Sequence, residues 1–398
     1  MRIGMMTDVY KPYVSGVTNY ISLNKKAFEQ VGHEVYVFTF GDSGVIDDET
    51  NIIRSPGIPL IYSGFYLSVT YNTLARRLLG TMDVVHVQHP FLSGSIAWRF
   101  CRPRGIPIVF TNHTRYDLYA QAYIPILGDA IGIPMLQAYL PVFCRACDLV
   151  IAPSNGIRQV LSNLGVDAPI QVIPNGVNLE PFINDRKQLD RSIFGFTPDN
   201  VVLIYVGRLG PEKNLPFLLR CFAGTTHAYD HVRLVIAGDG PQRNDLHEQV
   251  NSLGIGSKVH FAGWVAYDEL PGYLAMADAF VTASVTESHP LSVIEAMAAG
   301  LPVLGIDSPG VGDTVEDNLT GFLATQDPTV FTAKMGRIVT DNALRKSMGE
   351  RARLASKDYA IERTSTLVEE QYKRLIKQAT GRKRGLRSRL TRILGRRQ

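Results

Sequence analysis

Short apolar runs that alternate with helical segments constrain the fold of this chain more than any other feature of its sequence. Continuous Val and Ile runs that end in polar, Gly or Pro residues are typical of strands buried on both faces of a parallel sheet. The runs occur in two blocks, so the pattern predicts an α/β protein with two doubly wound, Rossmann-like domains. The first block holds RIGMMT, HEVYVFTF, DVVHVQ, IPIVFTN, CDLVIAPS and IQVIPNG, and the second holds VVLIYVG, VRLVIAG, KVHFAG, DAFVTAS and LPVLGI.

A polar, Pro-rich segment, 174–200, separates the two blocks and is predicted to contain the linker. We therefore expect an N-terminal domain over residues 1–177 and a C-terminal domain over 178–355. Residues 356–380 are expected to form a helix that packs back on the N-terminal domain, and 381–398 a separate tail. Ligands of such sheets bind beyond the carboxyl ends of the strands, so the expected site is a cleft between two facing domains. The polar strand ends expected there are Gly16, His113, Arg208, Gly238 and Glu287.

Composition narrows the protein class. Of the 398 residues, 45% are hydrophobic and 20% are charged, which predicts a globular protein with sizeable cores. The sequence contains no apolar stretch long enough for a transmembrane helix, and its first residues lack the apolar core of a signal peptide. The cysteines are widely spaced apart from the pair in CRAC, and no His cluster completes a zinc site. They are therefore predicted to be reduced, buried cysteines of a cytosolic protein.

Charge is distributed unevenly along the chain. From Lys373 onward there are 11 Lys or Arg and no acid, which leaves 30 basic and 37 acidic residues in the rest. Within 381–398, apolar residues recur at helical spacing among eight cations, which is typical of a basic amphipathic helix that binds an anionic membrane. A disordered, solvated tail is the alternative, and nucleic-acid binding is disfavoured because no binding motif is present. The apolar positions are Leu386, Leu390, Ile393 and Leu394.

Two turns in the second block carry candidate ligands for phosphate. VGRLGPEKN places Arg208 and Lys213 between a strand and a helix, where two cations suit a diphosphate through charge-assisted hydrogen bonds. Surface charge around a turn is the alternative. AGDGP is a Gly-rich turn that would place Gly238 at the nucleotide, although such a turn is weak as a signal by itself.

The stretch TESHPLSVIEAMAAG contains two glutamates separated by seven residues. Pro290 is tolerated at the start of a helix, and the free amides of Leu291 and Ser292 could then bind phosphate. Glu295 could accept hydrogen bonds from both ribose hydroxyls, and Glu287 could hold the hydroxyls of a donor sugar. Acidic residues that merely complement the helix dipole are the alternative.

These motifs resemble those of the family-4 retaining glycosyltransferases of the GT-B fold, and the resemblance covers nearly the whole chain. It rests on SGVTNY, PNGV, VGRLGPEKN and ESHPLSVIE taken together. It implies that Arg208 and Lys213 hold the nucleotide diphosphate, that Glu295 binds the ribose and that Glu287 binds the donor sugar. It also implies that Gly16 approaches the diphosphate from the N-terminal domain.

The N-terminal domain is expected to hold the acceptor. FTNHTRYDLYAQAY resembles family members that glycosylate diacylglycerol or related glycolipids, which implies that His113 contacts the donor sugar and stabilises the transition state. A structural histidine is the alternative. His89 is a weaker candidate for the acceptor site, and the apolar segment 124–143 is either an interfacial helix or an ordinary core helix.

The resemblance implies a retaining hexosyltransferase that needs neither a metal nor a cofactor, with UDP-glucose as the favoured donor and a lipid such as diacylglycerol as acceptor. The enzyme would lie on the inner face of the cell membrane, held by its basic tail, with no nucleic-acid partner. Other acceptors (phosphatidylinositol, a soluble sugar or a polysaccharide) and GDP-mannose as donor stay open. A phosphorylase, an epimerase and a membrane-bound scaffold of the same fold are the more distant alternatives.

Overall fold

Two parallel β-sheets form the centres of the structure, which is a computed structural model. The structure describes residues 1–394 except 14, 43, 45–46, 60–65, 69, 117, 119–128 and 185–188. Each sheet is the centre of one unit. The first unit comprises Met1–Pro153, Ile157–Gly176 and Ile361–Gln398, and the second comprises Ser154–Gly156 and Val177–Ala360.

The strands and helices follow one another in the order that the sequence blocks suggest. The strands are β1 (Arg2–Met6), β2 (Glu34–Phe40), β3 (Ile52–Ser55), β4 (Ile58–Pro59), β5 (Tyr66–Leu67), β6 (Val84–Val87), β7 (Ile108–Thr111), β8 (Leu149–Ala152), β9 (Ile170–Val172), β10 (Val201–Val206), β11 (Val232–Ala237), β12 (Val259–Gly263), β13 (Ala279–Val281), β14 (Val303–Ile306) and β15 (Gly321–Ala324). The helices are α1 (Gly16–Gln30), α2 (Thr73–Leu79), α3 (Leu92–Ile96), α4 (Asp129–Cys144), α5 (Asn155–Asn163), α6 (Glu180–Ile183), α7 (Leu215–Ala228), α8 (Arg243–Ser252), α9 (Leu270–Met276), α10 (Leu291–Ala298), α11 (Val311–Thr314), α12 (Pro328–Thr340), α13 (Asn342–Ser356) and α14 (Ile361–Leu394). A π-helical turn, Ala97–Cys101, and a 3₁₀ turn, Arg102–Arg104, continue α3.

The first unit contains a seven-stranded sheet in the order β3-β2-β1-β6-β7-β8-β9, with every pair parallel. Successive side chains of a strand point to opposite faces, so each strand contributes to two cores. Met5 packs with α1 and α14, and Met6 packs with α2, α3 and α4. Helices therefore cover both faces, as a doubly wound sheet requires.

The second unit contains a six-stranded parallel sheet in the order β12-β11-β10-β13-β14-β15. Alternate residues of β10 again divide between two cores. Leu203 packs with α7, α8 and α12, and Ile204 packs with α6, α9 and α10. The predicted fold class, α/β with two doubly wound parallel sheets, is confirmed.

Each predicted strand run contains a strand, but the short antiparallel pair β4 and β5 and two edge strands were not predicted. Strand β3 has the sequence IIRS and β15 has GFLA, and each is four residues long at the border of its sheet. Runs this short are hard to distinguish from loops, because an edge strand need not be apolar on both faces.

The last helix packs on the first unit along one face. Val368, Tyr372 and Leu375 are buried there, and Nε2 of His33 lies 2.5 Å from Oε1 of Glu369. The helix continues to Leu394. The predicted tail begins at 381, and its membrane role stays a prediction.

Other predictions concern apolar segments and cysteines. Of the segment 124–143, residues 124–128 lie outside the described residues, and the rest belongs to α4. All four cysteines are free and buried. Within the described part of the chain, no helix is both long and apolar enough to cross a membrane.

Candidate active site

Strand order places the first candidate site in the second unit. Strand β10 lies between β11 and β13, so the chain leaves β10 towards one edge and later returns to its other side. Loops that follow two such strands diverge and leave a crevice at the carboxyl edge, where ligands of these sheets bind. The loop after β10 carries Arg208 and Lys213, and the loop after β13 carries Glu287.

The structure brings Lys213 and Glu287 into direct contact across this crevice. Nζ of Lys213 donates to Oε1 of Glu287 at 2.6 Å, and both side chains are 21% exposed. Burial disfavours the charged form of both groups, but the attraction of the oppositely charged partner exceeds this effect for each of them. Burial raises the pKa of Glu287, but the charge and the hydrogen bond of Lys213 lower it by more, so the pKa lies below its usual value. Burial lowers the pKa of Lys213, but the charge and the hydrogen bond of Glu287 raise it by more, so the pKa lies above its usual value.

The ion pair leaves binding capacity for a ligand. An ammonium has three N–H donors, and Glu287 accepts from one of them. Arg208 is more accessible, because its side chain is 57% exposed and its Nη1 lies 3.6 Å from Oε1 of Glu212. The hydroxyl of Tyr205 donates to the Arg208 carbonyl at 3.1 Å, which fixes the backbone from which the guanidinium projects. The two cations at this turn can donate charge-assisted hydrogen bonds to a diphosphate.

Helix α10 begins at the same crevice. Pro290 occupies its N-cap position, and no side chain of the described residues caps it. The amides of Val293 and Ile294 donate to the Pro290 carbonyl at 3.2 and 3.3 Å. Leu291 and Ser292 precede the first intrahelical hydrogen bonds, so their amides are the ones a helix offers to an anion.

Glu295 lies one turn further along α10 and is only 6% exposed. Burial raises its pKa to about 7, and a hydrogen bond from Tyr267 partly offsets that rise. A buried carboxyl of this kind gains from ligand hydroxyl donors, which stabilise its charged form. Tyr267 was not predicted as a site residue, because nothing in a single sequence links it to a glutamate on another element.

Gly238 has a structural reason to be glycine. Its φ is +154°, and a β-carbon there would lie 1.9 Å from the Gly207 carbonyl oxygen. The residue therefore lets the turns after β10 and β11 lie against each other. Its amide donates to the Gly263 carbonyl at 2.7 Å and so is already engaged. The predicted contact of Gly238 with a nucleotide stays a prediction, and this amide does not support it.

A comparable crevice exists in the first unit, where β1 lies between β2 and β6. The loop after β1 leads into α1. Ser15 caps this helix, because its Oγ accepts from the Thr18 amide at 3.2 Å while Thr18 Oγ1 accepts from the Ser15 amide at 2.8 Å. Gly16 follows as the first helical residue, and a β-carbon there would meet no atom within 4 Å. The start of α1 is therefore open at Gly16, as a backbone approach to a ligand requires.

His113 follows β7 at this edge of the first sheet. Its Nε2 lies 2.7 Å from Oε1 of Gln88, so this nitrogen carries the proton in the neutral ring. Tyr20 contacts the imidazole edge-on at 4.7 Å between ring centroids. Burial holds the pKa of His113 well below its usual value, and His89 and His86 lower it further. The side chain is therefore a neutral, oriented hydrogen-bonding group.

Two neighbouring histidines are engaged within the first unit. Nδ1 of His86 lies 2.6 Å from the Tyr372 hydroxyl, and burial lowers the pKa of His86 to about 3. Nδ1 of His89 lies 3.0 Å from Thr7 Oγ1 and 3.3 Å from the Asp8 amide nitrogen. These contacts give no support to the prediction of His89 at the acceptor site. Among the described residues, no group of three or more His, Cys, Asp or Glu is arranged to hold a metal ion.

Comparisons with known proteins agree with both halves of the structure. The pattern described as Glycosyltransferase Family 4 matches residues 14–181, and that described as Glycosyl transferases group 1 matches 186–355. The alpha-monoglucosyldiacylglycerol synthase of Streptococcus pneumoniae is 34% identical over 338 residues, which cover 81% of this chain and 75% of the relative. That of Acholeplasma laidlawii is 28% identical over 375 residues, which cover 91% and 94%.

A solved structure shows the same fold. Anabaena HepE in complex with UDP and glucose has a TM-score of 0.74 at 18% identity, with 93% of this chain and 99% of that chain covered. The family patterns together span both units, and the Streptococcus relative shares a third of its residues with this chain over most of its length. The chain therefore belongs to the family-4 glycosyltransferases of the GT-B fold and is a hexosyltransferase.

Proposed function

We propose that this glycosyltransferase moves glucose from UDP-glucose to diacylglycerol with retention of the anomeric configuration. The observation that carries the proposal is the partly buried, charged pair of Lys213 and Glu287, 2.6 Å apart in the crevice of the second unit. A cation for phosphate and a carboxylate for sugar hydroxyls are the two groups that a nucleotide sugar needs side by side. Glucose and diacylglycerol are named in the two relatives, which supports them as sugar and acceptor.

The donor would be held by four kinds of contact. Lys213 and Arg208 bind the diphosphate, together with the amides that open α10 at Leu291 and Ser292. Glu295 accepts hydrogen bonds from the ribose hydroxyls, which favour its carboxylate form. Glu287 accepts from hydroxyls of the glucose.

In the reaction, the bond from the anomeric carbon of glucose to the diphosphate oxygen breaks, and a bond from that carbon to the acceptor hydroxyl oxygen forms. The acceptor proton passes to the leaving diphosphate oxygen, so the charges balance. Negative charge develops on the diphosphate, and Lys213, Arg208 and the α10 amides lie fixed where they stabilise it. His113 contributes a neutral imidazole that hydrogen-bonds the sugar. In this proposal, these groups stabilise the charge that develops in the reaction, and no metal or cofactor is needed.

The acceptor would be reached at a membrane. We propose that the enzyme is peripheral on the inner face of the cell membrane and that residues 381–398 contribute to its attachment. The eight cations in this segment support attraction to an anionic leaflet.

The test is a transfer assay with the purified chain. UDP-glucose, UDP-galactose, UDP-N-acetylglucosamine and GDP-mannose are each incubated with vesicles that contain diacylglycerol, and the lipids are analysed by mass spectrometry and by NMR of the anomeric proton. The proposal predicts α-monoglucosyldiacylglycerol from UDP-glucose, and its loss in Glu287→Gln but not in the exposed control Glu248→Gln. Preferred use of GDP-mannose, or transfer to another lipid alone, would contradict it.

A further inference from the structure

Gln88 is a buried amide that contacts His113. It follows β6 at the carboxyl edge of the first sheet, and none of its surface is exposed. Its backbone amide donates to the Met6 carbonyl at 2.8 Å, which joins it to β1. A buried amide side chain is costly unless its polar atoms have partners, so those partners show what the side chain holds in place. They are the carbonyl of His86 and the ring of His113.

The two contacts determine the orientation of the Gln88 amide. Its Nε2 donates to the His86 carbonyl at 3.3 Å, and its Oε1 lies 2.7 Å from Nε2 of His113. Turning the amide over would place Oε1 against the His86 carbonyl oxygen, and two acceptors would then face each other without a proton. The hydrogen-bond network therefore assigns Oε1 to the side of His113.

This orientation selects one tautomer of His113. Because Oε1 of Gln88 can only accept, Nε2 of the ring carries the proton and Nδ1 keeps its lone pair. No described residue hydrogen-bonds Nδ1, and His113 is partly exposed. The lone pair is therefore left to a ligand, and a group that donates a proton, such as a sugar hydroxyl, can bind it.

The surroundings of His113 favour the neutral ring. Tyr20 contacts it edge-on, and burial raises the pKa of Tyr20 to about 12, so Tyr20 is neutral as well. Besides burial, the groups that shift the pKa of His113 are His89 and His86, and both lower it. Among the described residues, no carboxylate offsets them. An uncharged amide at Gln88 agrees with this, because an acid there would favour the imidazolium, in which Nδ1 is protonated.

We propose that Gln88 is a positioning residue that holds His113 in the tautomer whose Nδ1 accepts a hydrogen bond from a hydroxyl of the donor sugar. The inference rests on the proposed function for the identity of that partner. It adds the direction of the hydrogen bond and the residue that sets it. A glutamine that only fills space beneath the ring is the structural alternative.

Two substitutions separate the hydrogen bond of Gln88 from its packing. Gln88→Leu is similar in size but has no acceptor for the ring, so turnover should fall about tenfold at both pH 6 and pH 8. Gln88→Glu restores an acceptor, but its carboxylate favours the imidazolium. Its turnover should therefore stay within about threefold of wild type at pH 8 and fall about tenfold at pH 6. The KM for UDP-glucose should stay within about twofold of wild type in both variants, which also shows that they are folded.

Equal losses of turnover in Gln88→Leu and Gln88→Glu at both pH values would overturn the proposal, because packing alone would then explain them. The matched control is Tyr372→Phe. It removes a buried hydroxyl that lies 2.6 Å from Nδ1 of His86 and does not contact His113. Its turnover and pH dependence should stay within about twofold of wild type.

A double-mutant cycle tests whether Gln88 acts through His113. In the His113→Ala background the ring is absent, so adding Gln88→Leu should change turnover by less than about twofold. A further tenfold loss on adding Gln88→Leu would show that Gln88 acts independently of His113 and would overturn the proposal.

NMR observes the tautomer directly. The full-length chain is labelled with nitrogen-15 in its nine histidines, and the spectrum of His113→Ala identifies the signals of His113. Wild type and Tyr372→Phe should show a protonated Nε2 and an unprotonated Nδ1, and Gln88→Leu should show a mixture of both tautomers. A protonated Nδ1 in wild type, or an unchanged spectrum in Gln88→Leu, would contradict the inference. This readout needs no sugar transfer, so its outcome is independent of whether glucose and diacylglycerol are the substrates.

Discussion

The crevices of the two units share a topology but differ in their chemistry. In each unit the first strand lies inside the sheet, with β1 between β2 and β6 and β10 between β11 and β13. Both sheets therefore have a crevice at the carboxyl edge. The second unit places the charged pair of Lys213 and Glu287 there. The first unit places His113 there, and burial keeps it neutral. The fold thus provides the position, while a few loop residues decide which ligand chemistry the position supports.

The difference follows from whether a buried group has a counter-ion. Glu287 stays charged because Lys213 lies 2.6 Å away. His86 has hydroxyl partners, Tyr372 and Thr111, and no charge opposes its burial, so its pKa falls to about 3. The retained charges of Lys213 and Glu287 suit a diphosphate and a sugar, and the neutral imidazole of His113 suits sugar hydroxyls.

Lys213→Ala should produce the largest effect. It removes a phosphate ligand and leaves the Glu287 carboxylate without its partner, so kcat/KM for UDP-glucose should fall by about 100-fold or more. The control Lys258→Ala removes a lysine that pairs with the exposed Asp230 elsewhere in the second unit. Steady-state kinetics of both variants check the prediction, and comparable losses in the two would count against a special role for Lys213.

His113→Ala should lower turnover by about 10- to 100-fold, because a preorganised hydrogen-bonding group is lost from the reacting sugar. Its KM for UDP-glucose should change little, since the diphosphate ligands are unaffected. The exposed His231→Ala variant is the control. Because His113 is neutral, the ratio of wild-type to variant turnover should stay constant between pH 6 and 8. A ratio that changes across this range would mean that His113 titrates in the working enzyme.

Glu295 should make donor affinity depend on pH. With its pKa raised by burial to about 7, about nine tenths of the side chain are protonated at pH 6 and about nine tenths are carboxylate at pH 8. Ribose hydroxyls donate to the carboxylate, so affinity for UDP-glucose should rise up to about tenfold between these values. Calorimetric titration of wild type and Glu295→Gln is the measurement. The prediction requires the rise to disappear in Glu295→Gln.

Tyr267→Phe should have the smallest effect. The Tyr267 hydrogen bond lowers the pKa of Glu295, so its loss should raise that pKa and move the pH dependence of UDP-glucose affinity upward. At pH 7 the affinity should fall by about two- to threefold. Tyr273→Phe, whose ring packs on Phe194, serves as control. A shift towards lower pH in Tyr267→Phe would contradict the assigned hydrogen bond.

The sequence predicted the two sheets, and the loops that carry the candidate residues, better than it predicted the contacts between those residues. Apolar runs identified the central strands, but the short edge strands β3 and β15 carry no comparable signal. Lys213 and Glu287 were each identified from a motif, yet their ion pair depends on β10 and β13 being neighbours although β11 and β12 intervene in the chain. Likewise, the Gly-rich turn at 238 was recognisable, but only the structure shows that its glycine accommodates Gly207.

The measurement that tests the central claim most directly compares donor binding with turnover in two variants. Calorimetric titration with UDP-glucose and the transfer assay are applied to wild type, Lys213→Ala and His113→Ala. The account predicts that Lys213→Ala weakens donor binding at least tenfold, whereas His113→Ala binds the donor within about twofold of wild type and still loses most of its turnover. Normal donor binding in folded Lys213→Ala, or loss of binding in His113→Ala alone, would contradict the assignment of the charged crevice to the nucleotide.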